Sequence, residues 1–317
     1  MMQISPETQL FIREHSSDDV RVLALQAKKY PDIDMPTAIT QIAGRQVAAE
    51  KIPSWRDTDD IWYPKHLSLE QCSSEVTARY KATLLKGNSL TDLTGGFGID
   101  CAFLAAKFKS AIYVERQQEL CEIAAHNFPI LNLNHINVKN EDGVSYLQAM
   151  SPVDCIFLDP ARRNEHGGKT VAISDCEPDV AELEELLLNK AGQVMVKLSP
   201  MLDLSLALKE LQHVQKVHII SANNECKELL LILGQASVEE ISIHCVNLPT
   251  KGIQEEQHFV FTREQEQCSE CNYTNALENY LYEPNASLLK AGAFRSIASA
   301  FPVKKLHPNS HLYTSDV

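Results

Sequence analysis

The sequence predicts an α/β protein with a seven-stranded, mostly parallel sheet covered by helices on both faces. Between Ser89 and Leu233, short apolar runs alternate with longer stretches of helical periodicity. The runs are apolar on both faces, as expected for strands that are buried on both sides, and their alternation with helices is typical of a parallel sheet. The seven predicted strands are SLTDL, AIYVE, HINVKN, VDCIFLD, VMVKLS, VHIIS and ELLLIL.

Two further regions flank this sheet. Residues 1–65 show helical periodicity and are predicted to form an N-terminal helical region. After two further predicted strands, ISIHCVN and HFVFT, the chain ends with a strand–helix–strand pattern: NYLYEP, NASLLKAGAFRSIASA and PVKKL. We therefore expect three parts, with the α/β domain over residues 66–262 and a small α+β module over residues 276–317.

Composition indicates an ordinary globular protein. The 317 residues are 44% hydrophobic and 22% charged. The first residues lack the basic and apolar segments of a signal peptide, and every apolar run is far shorter than the roughly 20 residues of a membrane span. The nine cysteines have no regular spacing, and Cys101, Cys121 and Cys155 lie in apolar runs, which is typical of reduced thiols. We expect a cytoplasmic protein with no membrane partner.

One pair of cysteines resembles half of a zinc site. Cys268 and Cys271 form the sequence CSEC. A structural zinc site normally needs two more ligands, and Cys245 and His258 are the candidates. We expect reduced thiols here and no metal.

The charge of the chain bears on possible partners. The net charge is −13, whereas proteins that bind nucleic acid through phosphates usually carry at least a local basic surface. Between residues 288 and 310, Lys290, Arg295, Lys304 and Lys305 occur without any acid. An ordinary surface and an RNA contact both remain open for this patch.

The stretch DLTGGFGID predicts a ligand site at the end of the first strand. Asp92 closes the strand, and Gly95, Gly96 and Gly98 precede the next helix. Ligands of open parallel sheets bind beyond the carboxyl ends of the strands, and glycines there let the backbone approach the ligand closely.

Three classes of ligand compete for this turn. A nucleoside triphosphate site needs GxxxxGK followed by Ser or Thr, and no such lysine and hydroxyl pair is present. A dinucleotide site needs GxGxxG, and Cys101 stands at the third glycine position. The third class is S-adenosylmethionine, which has an ammonium group in place of a pyrophosphate.

Acids at the ends of four successive predicted strands favour S-adenosylmethionine. Asp92 suits an ammonium group, and Glu115 can accept hydrogen bonds from both ribose hydroxyls. Asp142 can accept a hydrogen bond from the adenine amino group. Asp159, followed by Pro160, closes the fourth strand at the same edge.

These motifs resemble a known family. DLTGGFGID, YVE, NED and FLDPAR are similar to the successive motifs of class I S-adenosylmethionine-dependent methyltransferases, especially the RNA-modifying branch with its (D/N)PP(Y/F/R) motif. The strongest resemblance is to bacterial methyltransferases with C-terminal ferredoxin-like and THUMP-like modules. It implies a Rossmann-like sheet, a ferredoxin-like module over residues 276–317, and a THUMP-like module that would follow Val317.

The resemblance also implies roles for individual residues. For Ser74 and its neighbours Ser73 and Thr77, a role in capping their helix is favoured over contact with the cofactor carboxylate. Asp159 is expected to orient the methyl acceptor. The implied cofactor-binding residues are Asp92, Thr94, Gly95, Gly96, Gly98, Glu115, Asp142 and Ser74, and the implied catalytic residues are Asp159, Pro160 and Arg162.

The fourth motif departs from the family pattern. DPAR lacks the aromatic ring on which a flipped base stacks, so Trp55, Trp62 or Tyr63 would have to supply it. The fifth strand, VMVKLSPMLD, offers no cysteine for the covalent attack that uridine C5 methylation requires. A nitrogen or oxygen acceptor is therefore expected. Arg162, Arg163 and Lys169 either pair with substrate phosphates or are simply exposed.

The sequence thus predicts an S-adenosylmethionine-dependent methyltransferase that modifies a nitrogen or oxygen of RNA, either rRNA or tRNA. Methylation of a small molecule or a protein is one alternative. A noncatalytic RNA-binding protein with the same fold is another, and a nicotinamide oxidoreductase is disfavoured by Cys101.

Overall fold

The computed structural model describes residues 4–162, 172–249 and 255–317, except for the side chains of His66 and Arg162. The chain forms two compact units, Met1–Ile156 and Phe157–Val317. No helix within the described residues combines the length and the apolar character needed to cross a membrane.

The helices are α1 Pro6–Glu14, α2 Val20–Leu25, α3 Met35–Lys51, α4 Pro53–Arg56, α5 His66–Gln71, α6 Glu75–Lys81, α7 Ile99–Ala105, α8 Gln118–Ile130, α9 Gly143–Ala149, α10 Val180–Lys190, α11 Leu204–Glu210, α12 Arg263–Cys268, α13 Ala286–Ala291 and α14 Phe294–Ala300. Short 3-10 helices cover Ala27–Lys29 and Ile173–Asp175.

The strands are β1 Ser89–Asp92, β2 Ser110–Glu115, β3 Ile136–Asn140, β4 Val153–Leu158, β5 Ala161–Arg162, β6 Cys176–Glu177, β7 Ala191–Leu198, β8 Val214–Ala222, β9 Glu225–Gly234, β10 Ser242–Leu248, β11 Gln257–Phe261, β12 Tyr280–Tyr282, β13 Lys304–Lys305 and β14 Tyr313–Ser315.

The first unit places its predicted strands side by side. Their order is β4-β1-β2-β3, and β2 runs parallel to both β1 and β3. The register pairs Asp92 with Tyr113 and Glu115 with Asn140. The carboxyl ends of β1, β2 and β3 therefore meet at one edge of the sheet, as the sequence predicts.

The strands of the second unit lie in the order β7, β9, β8, β10 and β11. β9 is antiparallel to both β7 and β8, which confirms the antiparallel pair predicted at VHIIS and ELLLIL. All seven predicted strands are present. β10 and β11 lie beyond β8 in this order, and they correspond to the predicted segments ISIHCVN and HFVFT.

The C-terminal part is a small α+β module. Its strands lie in the order β12-β14-β13, with antiparallel pairing. The sequence predicts one helix between the first two strands, whereas the structure has two, α13 and α14. Gly292 ends α13 with φ 73°, a left-handed conformation that glycine adopts without strain. Strand β14 was not predicted from the sequence.

Aspartate caps start several of the helices that follow strands. Asp142, Asp179 and Asp203 each accept hydrogen bonds from backbone N–H groups in the first turn of α9, α10 and α11. Such caps satisfy donors that have no partner inside the helix. They fix the residue at which each helix begins.

Candidate active site

The glycine turn between β1 and α7 adopts a backbone conformation that its sequence makes possible. Gly96 has φ 55° and Gly98 has φ 87°, both in the left-handed region. The N–H of Gly98 donates to the carbonyl of Gly95 at 2.9 Å, which closes the turn. A side chain at Gly98 would also meet the Phe128 ring at 3.0 Å. Glycine is therefore needed for both conformation and packing.

Tyr113 on β2 holds this turn from below. A Cβ atom added to Gly95 would lie 2.3 Å from the Tyr113 ring. The Tyr113 hydroxyl donates to the carbonyl of Gly96 at 2.5 Å. Burial raises the pKa of the Tyr113 phenol well above its usual value, so the hydroxyl stays protonated and remains a donor.

Two buried carboxylates stand at the ends of β1 and β2. Asp92 is 1% exposed and accepts a hydrogen bond from the N–H of Thr94 at 3.0 Å. Glu115 accepts from the N–H of Gly96 at 2.9 Å and from that of Gln117 at 2.8 Å. Glu115 therefore ties the end of β2 directly to the glycine turn.

The third acid of this edge, Asp142, lies at the start of α9. Its carboxylate is exposed and accepts from the N–H of Ser145 at 2.9 Å. A Cβ atom at Gly143 would lie 2.3 Å from the carbonyl oxygen of Leu93. Because of this close approach, the start of α9 lies against the end of β1, and Asp142 belongs to the same edge as Asp92.

The aromatic residue inside the turn anchors it to the N-terminal helical region. Phe97 is 3% exposed, and its ring centroid lies 5.2 Å from that of Trp55 and 6.2 Å from that of Tyr63. Trp55 and Tyr63 are themselves buried. The expectation that they stack on a substrate base is therefore wrong, because their rings already pack against the protein.

The third aromatic candidate, Trp62, is also engaged. Its ring stacks on the ring of His126 with centroids 3.6 Å apart and an interplanar angle of 11°. The side chain of Asn127 bonds both the N–H and the carbonyl of Trp62. These contacts fasten the connector before α5 to α8.

A buried ion pair, not predicted from the sequence, supports the first turn of α7. Lys81 has no exposed surface, and its ammonium lies 3.0 Å from Asp100 and donates to Ser73 at 2.9 Å. Ser73 in turn donates to Asp100 at 2.7 Å. The sequence shows Lys81 only as one residue of the helix EVTARYK, and nothing near it in the chain indicates its partners.

Ser73 and Ser74 precede α6 and form hydrogen bonds within the protein. Ser74 caps α6 by accepting from the N–H of Thr77 at 3.4 Å. Ser73 is bonded to Asp100. The described contacts of both serines thus lie within the protein, in agreement with the favoured capping role of Ser74.

In the second unit, Asp159 forms an ion pair that was not predicted from the sequence. The ammonium of Lys197 on β7 donates to the Asp159 carboxylate at 2.5 Å. The Lys197 side chain is 11% exposed and that of Asp159 is 36% exposed. The lysine is thus largely buried, while the carboxylate keeps a face toward solvent. Pro160, next to it, is buried.

The first two residues after Pro160 form a short strand. Ala161 and Arg162 form β5, which pairs with Cys176 and Glu177 of β6. Arg163 and Lys169 lie outside the residues that the structure describes, as does the side chain of Arg162. Their proposed contact with phosphates stays a prediction.

The four basic residues of the tail make contacts within the chain. Lys290 donates to the carbonyl of Leu202 and Arg295 to that of Gln267. Lys304 pairs with Glu278. Lys305 is buried and donates to the carbonyl of Pro308. Each of these four cations therefore has a partner within the chain.

The described ranges contain no group of three or more histidines, cysteines, aspartates or glutamates arranged to hold a metal. Cys268 is exposed and Cys271 is partly exposed, and both are free thiols.

Two parts of the chain match models of known families. The family model of protein-L-isoaspartate(D-aspartate) O-methyltransferase matches residues 50–164. The model of a ferredoxin-like domain matches residues 280–317. No curated protein matches the chain.

Among solved structures, a protein of Porphyromonas gingivalis W83 whose name assigns it as a methyltransferase is similar over the whole chain. The identity is 36%, the TM-score is 0.87, and the match covers 100% of this chain and 80% of that one. Much weaker matches include an rRNA methylase from Streptococcus thermophilus, with 14% identity, a TM-score of 0.38, and coverage of 51% of this chain and 96% of that one.

The fold is that of the class I S-adenosylmethionine-dependent methyltransferases, followed by a ferredoxin-like domain. The predicted fold class and, at the level of this class, the predicted cofactor are confirmed. The chain belongs to the same family as the P. gingivalis protein.

Proposed function

We propose that this protein transfers the methyl group of S-adenosylmethionine to a nitrogen or oxygen of RNA. The observation that carries the proposal is the partly exposed carboxylate of Asp159, held by the buried ammonium of Lys197 at the end of β4. Asp159 is the acid of the motif DPAR, and in this class of enzymes that position is expected to lie beside the methyl acceptor.

The residues at the edge of β1, β2 and β3 fit this cofactor. Nothing closer than 3.8 Å would meet a Cβ atom at Gly96, so the backbone there is open on one side. Each oxygen of Glu115 accepts one described hydrogen bond, which leaves lone pairs for the two ribose hydroxyls. Asp92 would hold the ammonium group, Thr94, Gly95 and Gly98 would shape the loop beside it, and Asp142 would accept from the adenine amine.

The cofactor supplies a methyl group that its sulfonium already activates. The protein then needs to align the acceptor, exclude water and accept a proton. We assign the alignment to Asp159, whose carboxylate accepts a hydrogen bond from the N–H or O–H of the acceptor and takes up the proton that this group loses when the methyl group is transferred. The ion pair with Lys197 fixes the position of this carboxylate, and Pro160 and Arg162 would flank the acceptor.

Two features support RNA as the substrate. The sequence DPAR resembles the fourth motif of RNA-modifying methyltransferases, and Arg162 and Arg163 follow Asp159 closely in the chain. Lys and Arg beside an acceptor site are the residues that bind phosphates. Methylation of a protein is the second candidate, favoured by the match of residues 50–164 to an O-methyltransferase family that acts on protein residues.

The test is transfer of radiolabelled methyl groups to cellular RNA. RNA from a strain that lacks this protein should accept label, whereas RNA from the parent strain should accept little because its sites are already methylated. Label that resists nuclease and is released by protease would instead support the protein as substrate. Label in neither fraction would contradict the proposal.

Asp159→Asn tests the assigned role. The substitution keeps the shape of the side chain and removes its charge, so we expect kcat to fall by about 100-fold or more. Calorimetry should show a change of no more than about twofold in affinity for S-adenosylmethionine. This is much smaller than the tenfold change that corresponds to about 1.4 kcal/mol of binding free energy. Glu225→Gln, an exposed acid in the same unit, is the control and should keep native turnover.

A further inference from the structure

A cavity of about 410 Å³ lies in the second unit, away from Asp159 in sequence and lined by residues of α11, β10, β11, α12 and α13. This volume falls within the range of small-molecule sites, roughly 300–1,000 Å³. Ile243 and Phe261 form a buried apolar side. Asp203, Ser205 and Arg263 are exposed, so the cavity opens to solvent.

Two cations line the cavity and keep most of their donors available. A guanidinium nitrogen of Arg263 donates to the hydroxyl of Ser205 at 3.1 Å, and the ammonium of Lys290 donates to the carbonyl of Leu202 at 2.8 Å. Within the described residues, these are their hydrogen bonds. An arginine has five N–H donors and a lysine three, so most of them can still bind a ligand.

One of the two carboxylates of the lining accepts three hydrogen bonds from the chain itself. One oxygen of Glu266 accepts from the N–H of Arg295 at 2.8 Å. The other accepts from the N–H of Ser296 at 2.8 Å and from its hydroxyl at 2.7 Å. Glu266 therefore binds mainly the start of α14, and it has fewer free lone pairs than Asp203.

The other carboxylate, Asp203, can accept further hydrogen bonds. Its Oδ1 accepts from the N–H groups of Ser205 and Leu206 at 2.7 and 3.0 Å. These backbone hydrogen bonds, followed by the charges of Lys290 and Arg263, lower the pKa of Asp203, so it is ionised at neutral pH. Among the described contacts none involves its Oδ2, which is left as an acceptor beside two cations.

This set of groups matches a ribose phosphate. The available N–H donors of Arg263 and Lys290 suit a phosphate, and a carboxylate oxygen next to them suits a hydroxyl. The apolar side accommodates the sugar or base edge. We propose that the cavity binds a ribose–phosphate unit of an RNA strand; the choice of RNA over a free nucleotide rests on the proposed function.

The experiment measures fluorescence anisotropy of a labelled single-stranded oligouridine of about 12 nucleotides, a length that single-strand binding sites cover. The full chain is compared with the double variant Arg263→Ala/Lys290→Ala. We expect affinity to fall at least about tenfold, and the slope of log affinity against log salt to shrink by about 0.7 for each phosphate that the variant no longer neutralises. Lys227→Ala, which removes one positive charge from the same unit, should change affinity far less.

Three further comparisons test the proposal. Unchanged RNA affinity in the double variant, or no RNA binding by the native chain, overturns the proposal. Equal affinity for DNA of matched sequence overturns the ribose contact of Asp203. Displacement of the RNA by uridine monophosphate at equal nucleotide concentration overturns the assignment to an RNA strand.

Two measurements keep these results interpretable. Because Lys290 also bonds Leu202, Arg263→Ala and Arg263→Lys are tested alone, and the lysine variant should recover part of the affinity. The double variant should bind S-adenosylmethionine with native affinity. Loss of RNA binding with intact cofactor binding supports the cavity, whereas failure of methyl transfer in the native chain concerns the proposed function alone.

Discussion

At the scale of single residues, the glycine turn shows why the motif contains glycine at each position. Gly96 and Gly98 have positive φ angles, whereas Gly95 is needed because the Tyr113 ring lies where a side chain would go. The glycines were evident from the sequence, but the packing reason for Gly95 comes from β2. Backbone conformation thus requires glycine at one position and packing requires it at a neighbouring one, and substitutions at the two positions should have different effects.

Gly95→Ala should destabilise the protein by about 1–3 kcal/mol, because the new Cβ atom displaces the Tyr113 ring. Gly96→Ala meets no close atom and should cost about 1–2 kcal/mol from its left-handed backbone alone. Urea unfolding measures both, and calorimetry measures cofactor affinity, which should weaken at least about tenfold in Gly95→Ala. Native stability and cofactor affinity in Gly95→Ala would show that Tyr113 does not hold the turn.

At the scale of elements, the N-terminal helical region supports the glycine turn through Phe97. Trp55 precedes it by 42 residues in the chain (97 − 55), so no local pattern in the sequence indicated that their rings meet. The same holds for Lys81 and Asp100. Strands and motif positions were predictable from periodicity and spacing, whereas pairs joined by tertiary packing were not.

Phe97→Ala should lower the free energy of unfolding by about 3–5 kcal/mol, because it leaves a cavity between Trp55 and Tyr63. Phe97→Leu fills most of that volume and should recover much of the loss. For fluorescence measurements, the proteins also carry Trp62→Phe. Of the two tryptophans in the chain, Trp55 is then the one that remains. Its fluorescence should change on titration with S-adenosylhomocysteine only where Phe97 is retained; an unchanged signal with Phe97 present would contradict the coupling.

At the scale of the whole molecule, a row of three histidines runs across β8, β10 and β11. The rings of His218 and His244 stack with centroids 4.3 Å apart, and His244 lies within hydrogen-bond distance of His258, at 3.1 Å. His218 is 4% exposed, and burial lowers its pKa to about 3, with smaller contributions from His244, His258 and Lys216. No pattern in the sequence indicated this row, because the three histidines lie on three different strands.

This row predicts the pH dependence of stability. In the unfolded chain, His218 has a pKa of about 6.5 and binds a proton below that pH. In the folded protein, buried His218 binds this proton only near pH 3. The free energy of unfolding should therefore be highest above pH 6.5 and fall by about 1.4 kcal/mol per pH unit below it, from this residue alone. Urea unfolding between about pH 7 and about pH 5 measures the slope, which His218→Gln should reduce. The exposed His307→Gln is the control, and an equal slope in all three proteins would contradict the assignment.

The central claim is that the edge of β1, β2 and β3 binds S-adenosylmethionine. Its most direct test is calorimetric titration of the full chain with S-adenosylmethionine, S-adenosylhomocysteine and NAD. We predict micromolar binding of the first two and none of NAD, with binding abolished in Asp92→Asn and Glu115→Gln but retained in Glu119→Gln, an exposed acid of the same unit. Binding of NAD, or native affinity in the Asp92 and Glu115 variants, would contradict the claim.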